Sequence, residues 1–162
     1  MSTNDKHFFI DLVGCTAFSE QGGFPCLHSI DGIIDNPNNG WAYDGSFNAV
    51  QFSAWVIYEL AESSVIYSVQ LLSGVGRGDH RLLTFKIDMN VDNQWIIPNG
   101  LSVQEAPEVT IESDGFIKLD SAITDLTVLF NPVINVASIR LTVTGHSIFH
   151  CKKKKKIHTY VP

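Results

Sequence analysis

Short runs of alternating apolar and polar residues recur along this chain of 162 residues, and turn residues separate them. Successive side chains of a β-strand point to opposite faces of the sheet, so the alternation predicts strands with one buried face. Strands are predicted at His7–Val13, Ser53–Leu60, Val65–Leu72, Arg81–Met89, Glu108–Glu112, Gly115–Leu119, Leu126–Phe130 and Ala137–Thr144. About eight antiparallel strands with almost no helical period predict an all-β sandwich or barrel.

Two of these strands define the expected core. The residues that the alternation places on the buried faces are Leu83, Phe85, Ile87, Met89, Ile139, Leu141 and Val143. One segment, Trp55–Glu62, also contains several helix formers, but its alternation and its aromatic and β-branched residues favour a strand. Asp114-Gly115 stands between two short strands and predicts a hairpin turn.

The composition is typical of a single globular domain, because hydrophobic residues make up 44% of the chain and charged residues 17%. No apolar run approaches the ~20 residues that a membrane-spanning helix needs. The first residues, Met1 to Lys6, have neither the basic nor the apolar region of a secretory signal. We therefore expect a cytoplasmic protein if the chain is complete, or else a piece cut from a longer protein.

The charge is unevenly distributed along the chain. The net charge is −6, but residues 1–151 carry six basic and seventeen acidic side chains, a net of −11. Such an acidic body argues against nucleic acid as a partner, because phosphate contacts dominate that binding. The remaining basic residues are Lys152–Lys156. Residues 152–162 are predicted to form a basic tail outside a domain of residues 1–151, with a nuclear-import or anionic-membrane patch as the alternative.

The chain has three cysteines, Cys15, Cys26 and Cys151. An odd number leaves at least one thiol unpaired, which favours a reducing compartment. Cys15 and Cys26 flank a glycine-rich turn, and the alternative is a disulfide bond between them in an oxidising compartment. No spacing of Cys and His is typical of a zinc site.

The segment Asp31–Asn39 is rich in Asp, Asn and Gly, which adopt the left-handed and turn conformations of a tightly folded loop. It also places many oxygen atoms close together, as a calcium ion requires. The side chains proposed as calcium ligands are Asp31, Asp35, Asn36 and Asn38. The alternative is that these side chains hydrogen-bond to the nearby backbone and stabilise the loop without a metal.

Motifs typical of enzymes are missing from the sequence. It contains no Gly-x-Ser-x-Gly, phosphate-binding loop or dinucleotide-binding fingerprint. Seventeen scattered carboxylates do not identify the placed pair that glycoside hydrolysis needs. We therefore expect a protein that is not an enzyme.

Two loops contain the residue types that bind sugars, an aromatic ring for the apolar sugar face and planar polar groups for the hydroxyls. These candidate ligand-binding residues are Trp41, Tyr43, Asp44, Arg77, Asp79 and His80. A structural role is the alternative: Trp41 would pack as a lid on the core, and His80 would hydrogen-bond to a neighbouring loop.

The segment that ends in Gly40-Trp41-Ala42, followed by the turn Gly78-Asp79-His80 and an alternating strand, resembles the galactose-binding-like jelly-roll family. Discoidin-like (coagulation-factor type C) domains and related carbohydrate-binding modules belong to this family, and the resemblance extends from about Gly22 to Gly145. It implies an antiparallel β-sandwich whose loops at one end bind the ligand, with a structural calcium ion at the Asp31 loop. The expected function is non-catalytic carbohydrate binding; the alternative is a protein-interaction or structural subunit with the same fold. The expected partner is therefore a glycan or another protein.

Overall fold

A computed structural model of the chain describes residues 11–18, 26–29, 54–73, 82–104, 108–123, 125–144, 151–152 and 157–158. Within these residues the only helical element is a 3-10 turn, η1, at Cys26–Ser29. The strands are β1 (Leu12–Ala17), β2 (Ala54–Ser73), β3 (Leu82–Val91), β4 (Gln94–Ile96), β5 (Ser102–Gln104), β6 (Val109–Ile111), β7 (Phe116–Ile123), β8 (Asp125–Thr144), β9 (Cys151–Lys152) and β10 (Ile157–His158). The prediction of an all-β antiparallel protein is confirmed, and none of the described residues forms a helix able to cross a membrane.

Two long strands, β2 and β8, form the centre of the fold. Each has 20 residues, and they pair with each other in antiparallel register from Ala54↔Val143 to Leu72↔Asp125. The register shifts between Glu59 and Ser68, which is where β-bulges bend the pair. The sequence-based division of each long strand into two is therefore wrong, because the bulges interrupt the alternation without ending the strand.

The bent pair contributes to both layers of the sandwich. In the first layer, residues 54–59 of β2 pair with 138–143 of β8, and the strand order is β1-β2-β8-β3-β7-β6. In the second layer, residues 64–72 of β2 pair with 125–136 of β8, with β5 on the β8 side and β9 and β10 on the β2 side. The hydrophobic core lies between the two layers.

The core contains the residues that the alternation predicted. Phe85, Ile87 and Met89 on β3 are at most 1% exposed, and Ile139, Leu141 and Val143 on β8 at most 4%. These residues belong to one buried cluster that also includes Ile66, Val69, Leu126 and Val128 of the second layer. The side chain of Leu83, which was predicted to share this core, lies outside the described part of the structure. Burial of aliphatic and aromatic side chains on this scale is the main stabilising contribution to such a fold.

Two tight hairpins join neighbouring strands of the first layer. The predicted turn at Asp114-Gly115 connects β6 to β7, and Gly115 has a φ of 86°, which glycine adopts without a Cβ clash. A second turn connects β3 to β4 through Asp92 and Asn93, with φ angles of 51° and 63°. Two consecutive residues with positive φ are typical of a type I′ hairpin, in which Asp and Asn are accepted.

A disulfide bond joins Cys15 on β1 to Cys26 on η1, and their Cα atoms are 6.0 Å apart. Of the two redox states that the sequence left open for these cysteines, the structure has the oxidised one. The bond connects the edge strand of the first layer to the turn from which the chain enters residues 30–53.

The C-terminal segment pairs with the edge of β2. Lys152 pairs with Leu72, and Ile157 with Val69. The described residues 151–152 and 157–158 thus lie beside β2, and the division into a domain of residues 1–151 and a tail of 152–162 stays a prediction. Lysine is common at such edges because its charge opposes pairing with another chain.

Candidate functional site

The residues predicted as sites fall outside the described part of the structure. This holds for the candidate ligand-binding residues Trp41, Tyr43, Asp44, Arg77, Asp79 and His80 and for the candidate calcium ligands Asp31, Asp35, Asn36 and Asn38. The described strands nevertheless fix where the two loops with these residues begin and end.

Both loops enter the first layer from the same end. β8 lies between β2 and β3, and its residue Val143 pairs with Ala54 at the start of β2 and with Phe85 near the start of β3. Because β2 and β3 are both antiparallel to β8, they run in the same direction. Ala54 and Phe85 are therefore two strand spacings, about 10 Å, apart. The chain comes from residues 30–53 into β2 at Ala54, and from 74–81 into β3 at Leu82, three residues before Phe85.

The beginning of the first loop is attached to the core. Ser29, the last residue of η1, is fully buried; its hydroxyl donates to the Cys26 carbonyl oxygen at 2.6 Å and hydrogen-bonds with the Tyr58 hydroxyl at 3.2 Å. Together with the Cys15–Cys26 bond, these contacts hold η1 against β1 and β2. The chain thus enters residues 30–53 from a fixed point.

A second group of functional residue types lies on the outer face of the first layer, the face opposite the core. We define it as the outer-face cluster, formed by Lys86, Asp88, Asn90, Trp95, Phe116 and Arg140. It joins four strands, because β3 contributes three of its members and β4, β7 and β8 contribute one each.

Asp88 is the centre of the cluster. Its side chain is only 4% exposed although it points away from the core, and its Oδ2 accepts from Arg140 Nε at 3.1 Å and Nη2 at 2.8 Å. Lys86 Nζ lies 3.4 Å from the other carboxylate oxygen. A carboxylate this deeply buried needs such partners, because the loss of hydration would otherwise be costly.

Two aromatic rings lie beside the cations. The Arg140 guanidinium carbon is 4.5 Å from the centre of the Trp95 ring, and Lys86 Nζ is 5.8 Å from that of Phe116. Both distances are within the range of cation–π attraction. The cluster therefore combines a fixed guanidinium, an ammonium group and two rings.

Asn90 adds an unsatisfied polar atom. Its Oδ1 is buried and has no hydrogen-bond partner, and the residue pairs with Trp95 on one side and Ser138 on the other. An unpaired buried acceptor costs about 1–3 kcal/mol, so a donor that reaches this atom would be bound favourably.

The sequence contained part of the signal for the cluster. The alternation places Lys86 and Asp88 on one face of β3, and Arg140 on the corresponding face of β8. What it does not contain is the register, Asp88↔Arg140 and Asn90↔Trp95, which brings these side chains together. No group of three His, Cys, Asp or Glu residues able to hold a metal occurs among the described residues.

Solved structures share this fold over nearly the whole chain. Chitosan-binding module 1, derived from a chitosanase/glucanase of Paenibacillus sp. IK-5, matches with a TM-score of 0.61 and 14% identity over 94% of this chain and 96% of the module. A pectin-binding carbohydrate-binding module matches with a TM-score of 0.63 and 18% identity over 94% and 96%. The TM-score with SpGH29 is 0.65 at 15% identity, over 93% of this chain, which spans only 27% of that one.

Protein-family models and curated proteins gave no match to the sequence. Identities of 14–18% show the fold alone. The fold is an antiparallel β-sandwich shared with carbohydrate-binding modules, which agrees with the fold that the resemblance implied.

Proposed function

We propose that this protein is a non-catalytic carbohydrate-binding module. The observation that carries the proposal is the fold match with two isolated modules, a chitosan-binding and a pectin-binding one, over 96% of each. SpGH29 matches over only 27% of its length, so the similarity does not extend to most of that chain. Fold similarity does not by itself determine function, so the site must be tested separately.

We propose that the sugar binds at the loop end of the first layer, through Trp41, Tyr43, Asp44, Arg77, Asp79 and His80. An indole ring offers a flat apolar surface to a sugar face, while Arg and Asp form paired hydrogen bonds with adjacent hydroxyls. The common direction of β2 and β3 supports this location, because both loops reach the first layer at the same end.

We also propose a structural calcium ion at the Asp31 loop, with Asp31, Asp35, Asn36 and Asn38 as its ligands. Calcium requires six to eight oxygen ligands, so backbone carbonyls would have to complete the set. A bound ion would fix the loop next to Trp41 and prepare it for the sugar.

A glycan array, with and without calcium, tests the function. We expect the purified protein to bind a defined group of glycans, and Trp41→Ala or Arg77→Ala to abolish that binding while the melting temperature stays unchanged. Ile134→Ala is a control at the other end of the first layer, since it removes a large apolar side chain of β8 that is 62% exposed. If no glycan binds, the protein-interaction role becomes the better explanation of the fold.

A further inference from the structure

Three cations and the buried acid Asp88 lie close together on the outer face of the first layer, although the chain has a net charge of −6. Lys86, Lys118 and Arg140 each lie between two buried neighbours on their strands, so their side chains point away from the core. Glu59 on β2 is on the same face, but it is two strands from Asn90 in the register. Among the described side chains, the part of the face formed by β3, β7 and β8 thus has three cations and one anion, Asp88.

Arg140 has hydrogen-bonding capacity that Asp88 does not use. A guanidinium group carries five N–H donors in a fixed plane. The bonds to Asp88 use Nε and one hydrogen of Nη2, on one side of the fork. Nη1 and the second hydrogen of Nη2 form the other side, which has the geometry for a second carboxylate. The Arg140 side chain is 29% exposed, so this side is within reach of a ligand.

The guanidinium group is also held in place. Asp88 fixes it through two bonds, and the Trp95 ring lies under it at 4.5 Å. A side chain that is already ordered loses little entropy when a ligand binds. Lys86 adds a second positive charge next to it, because both cations contact the same carboxylate group.

We infer that the outer-face cluster binds the carboxylate of an acidic saccharide, with the free side of the Arg140 guanidinium as the bidentate partner and Lys86 as the second cation. The saccharide part rests on the proposed function; the carboxylate part rests on the geometry of Arg140. Trp95, whose ring lies beside the Arg140 guanidinium, would contact the apolar face of the same sugar. This site is distinct from the loop end, where Trp41 and Arg77 are proposed to bind.

Calorimetric titration with trigalacturonic acid and with its methyl ester tests the inference, because the sugar rings are the same and only the acid has ionised carboxylates. We expect the acid to bind about tenfold more tightly, and added salt to remove most of the difference. Lys86→Gln should weaken acid binding by about fivefold and leave ester binding unchanged. Lys118→Gln is the matched control, because it also removes one positive charge from this face. Lys118 pairs with Glu112 and does not belong to the cluster, so its loss should leave acid binding unchanged.

Arg140→Lys provides a second variant that keeps the charge next to Asp88 but removes the bidentate fork. We expect the preference for the acid over the ester to disappear, while the thermal transition stays cooperative. Equal affinities for acid and ester in the unmodified protein, or equal effects of the two lysine variants, would overturn the inference. If the inference fails in this way but neutral glycans bind on the array, the proposed carbohydrate-binding function still stands. If neither neutral nor acidic saccharides bind, both proposals are wrong.

Discussion

Reduction of the Cys15–Cys26 disulfide should lower the free energy of unfolding. The size of this change depends on the number of residues in the loop that the bond closes. The two cysteines are 11 residues apart. Cross-linking a loop of this size restricts the unfolded chain and is worth about 3 kcal/mol in the chain-entropy model. Cys26 is 3% exposed, and a buried thiol behaves as a small apolar group, so reduction should add little further cost.

Thermal unfolding with and without dithiothreitol measures this change. For a domain of this size, a loss of about 3 kcal/mol corresponds to a fall in melting temperature of about 6–12 °C. Cys151→Ala is the control, and it should respond to dithiothreitol as the unmodified protein does. Thiol titration of the unfolded, unreduced protein should find one free thiol per chain, since Cys151 is left over.

An unchanged melting temperature after verified reduction would refute the entropy argument. Three free thiols before reduction would show instead that the bond does not form. A fall much larger than predicted would mean that the bond also stabilises the folded state, through the position of η1 and the buried Ser29 hydroxyl.

The remaining predictions concern the outer-face cluster, the core and the calcium loop. Asp88→Ala should destabilise the protein by about 2–3 kcal/mol in urea unfolding, because Arg140 loses its buried partner but is partly solvated. Glu112→Ala, which breaks the exposed pair with Lys118, should cost less than about 1 kcal/mol. In the core, Phe85→Ala should cost about 4 kcal/mol, because the ring is fully buried and its removal leaves a cavity. Calcium should raise the melting temperature, EDTA should reverse the rise, and Asp31→Ala should abolish it.

Each of these has an outcome that contradicts it. If Asp88→Ala and Glu112→Ala lower the free energy of unfolding equally, burial does not strengthen the Asp88–Arg140 ion pair. A cost below about 1 kcal/mol for Phe85→Ala would mean that the core collapses into the space. Identical melting in calcium and in EDTA would leave the loop stabilised by its own side-chain hydrogen bonds.

Local features of the fold could be predicted from the sequence. Alternation identified the buried residues of β3 and of the second half of β8 because each lies in a regular strand with one face on the core. Asp114-Gly115 identified the β6–β7 hairpin because glycine is needed at a positive φ. The turn at Asp92-Asn93 was missed, since it meets the same requirement without a glycine.

The continuity of β2 could not be predicted from alternation. Its buried apolar positions are even-numbered from Ala54 to Ile66, but Val69 and Leu71 are odd-numbered. The register shifts between Glu59 and Ser68 cause this change of phase. In the sequence alone, a bulge that changes the phase looks like the end of one strand and the start of another.

The outer-face cluster could not be predicted either, because it depends on the pairing of strands that are distant in the sequence. Asp88 and Arg140 are 52 residues apart, so their contact depends on a register that no local pattern specifies. The outer-face cluster was therefore missed, although the alternation places Lys86, Asp88 and Arg140 on the face opposite the core. The loop candidates were chosen by residue type and resemblance, and they remain predictions.

The outer-face cluster and the core both depend on the register in which β8 pairs with β3. A shift of β8 by one residue would turn Arg140 toward the core and expose Ile139 and Leu141, because strand side chains alternate with a period of two. The core therefore holds Arg140 opposite Asp88, and the ion pair in turn opposes the shift, since it would bury an unpaired charge. It follows that substitutions in the core of β8 that loosen the register should weaken binding of an acidic ligand, even though they do not contact it.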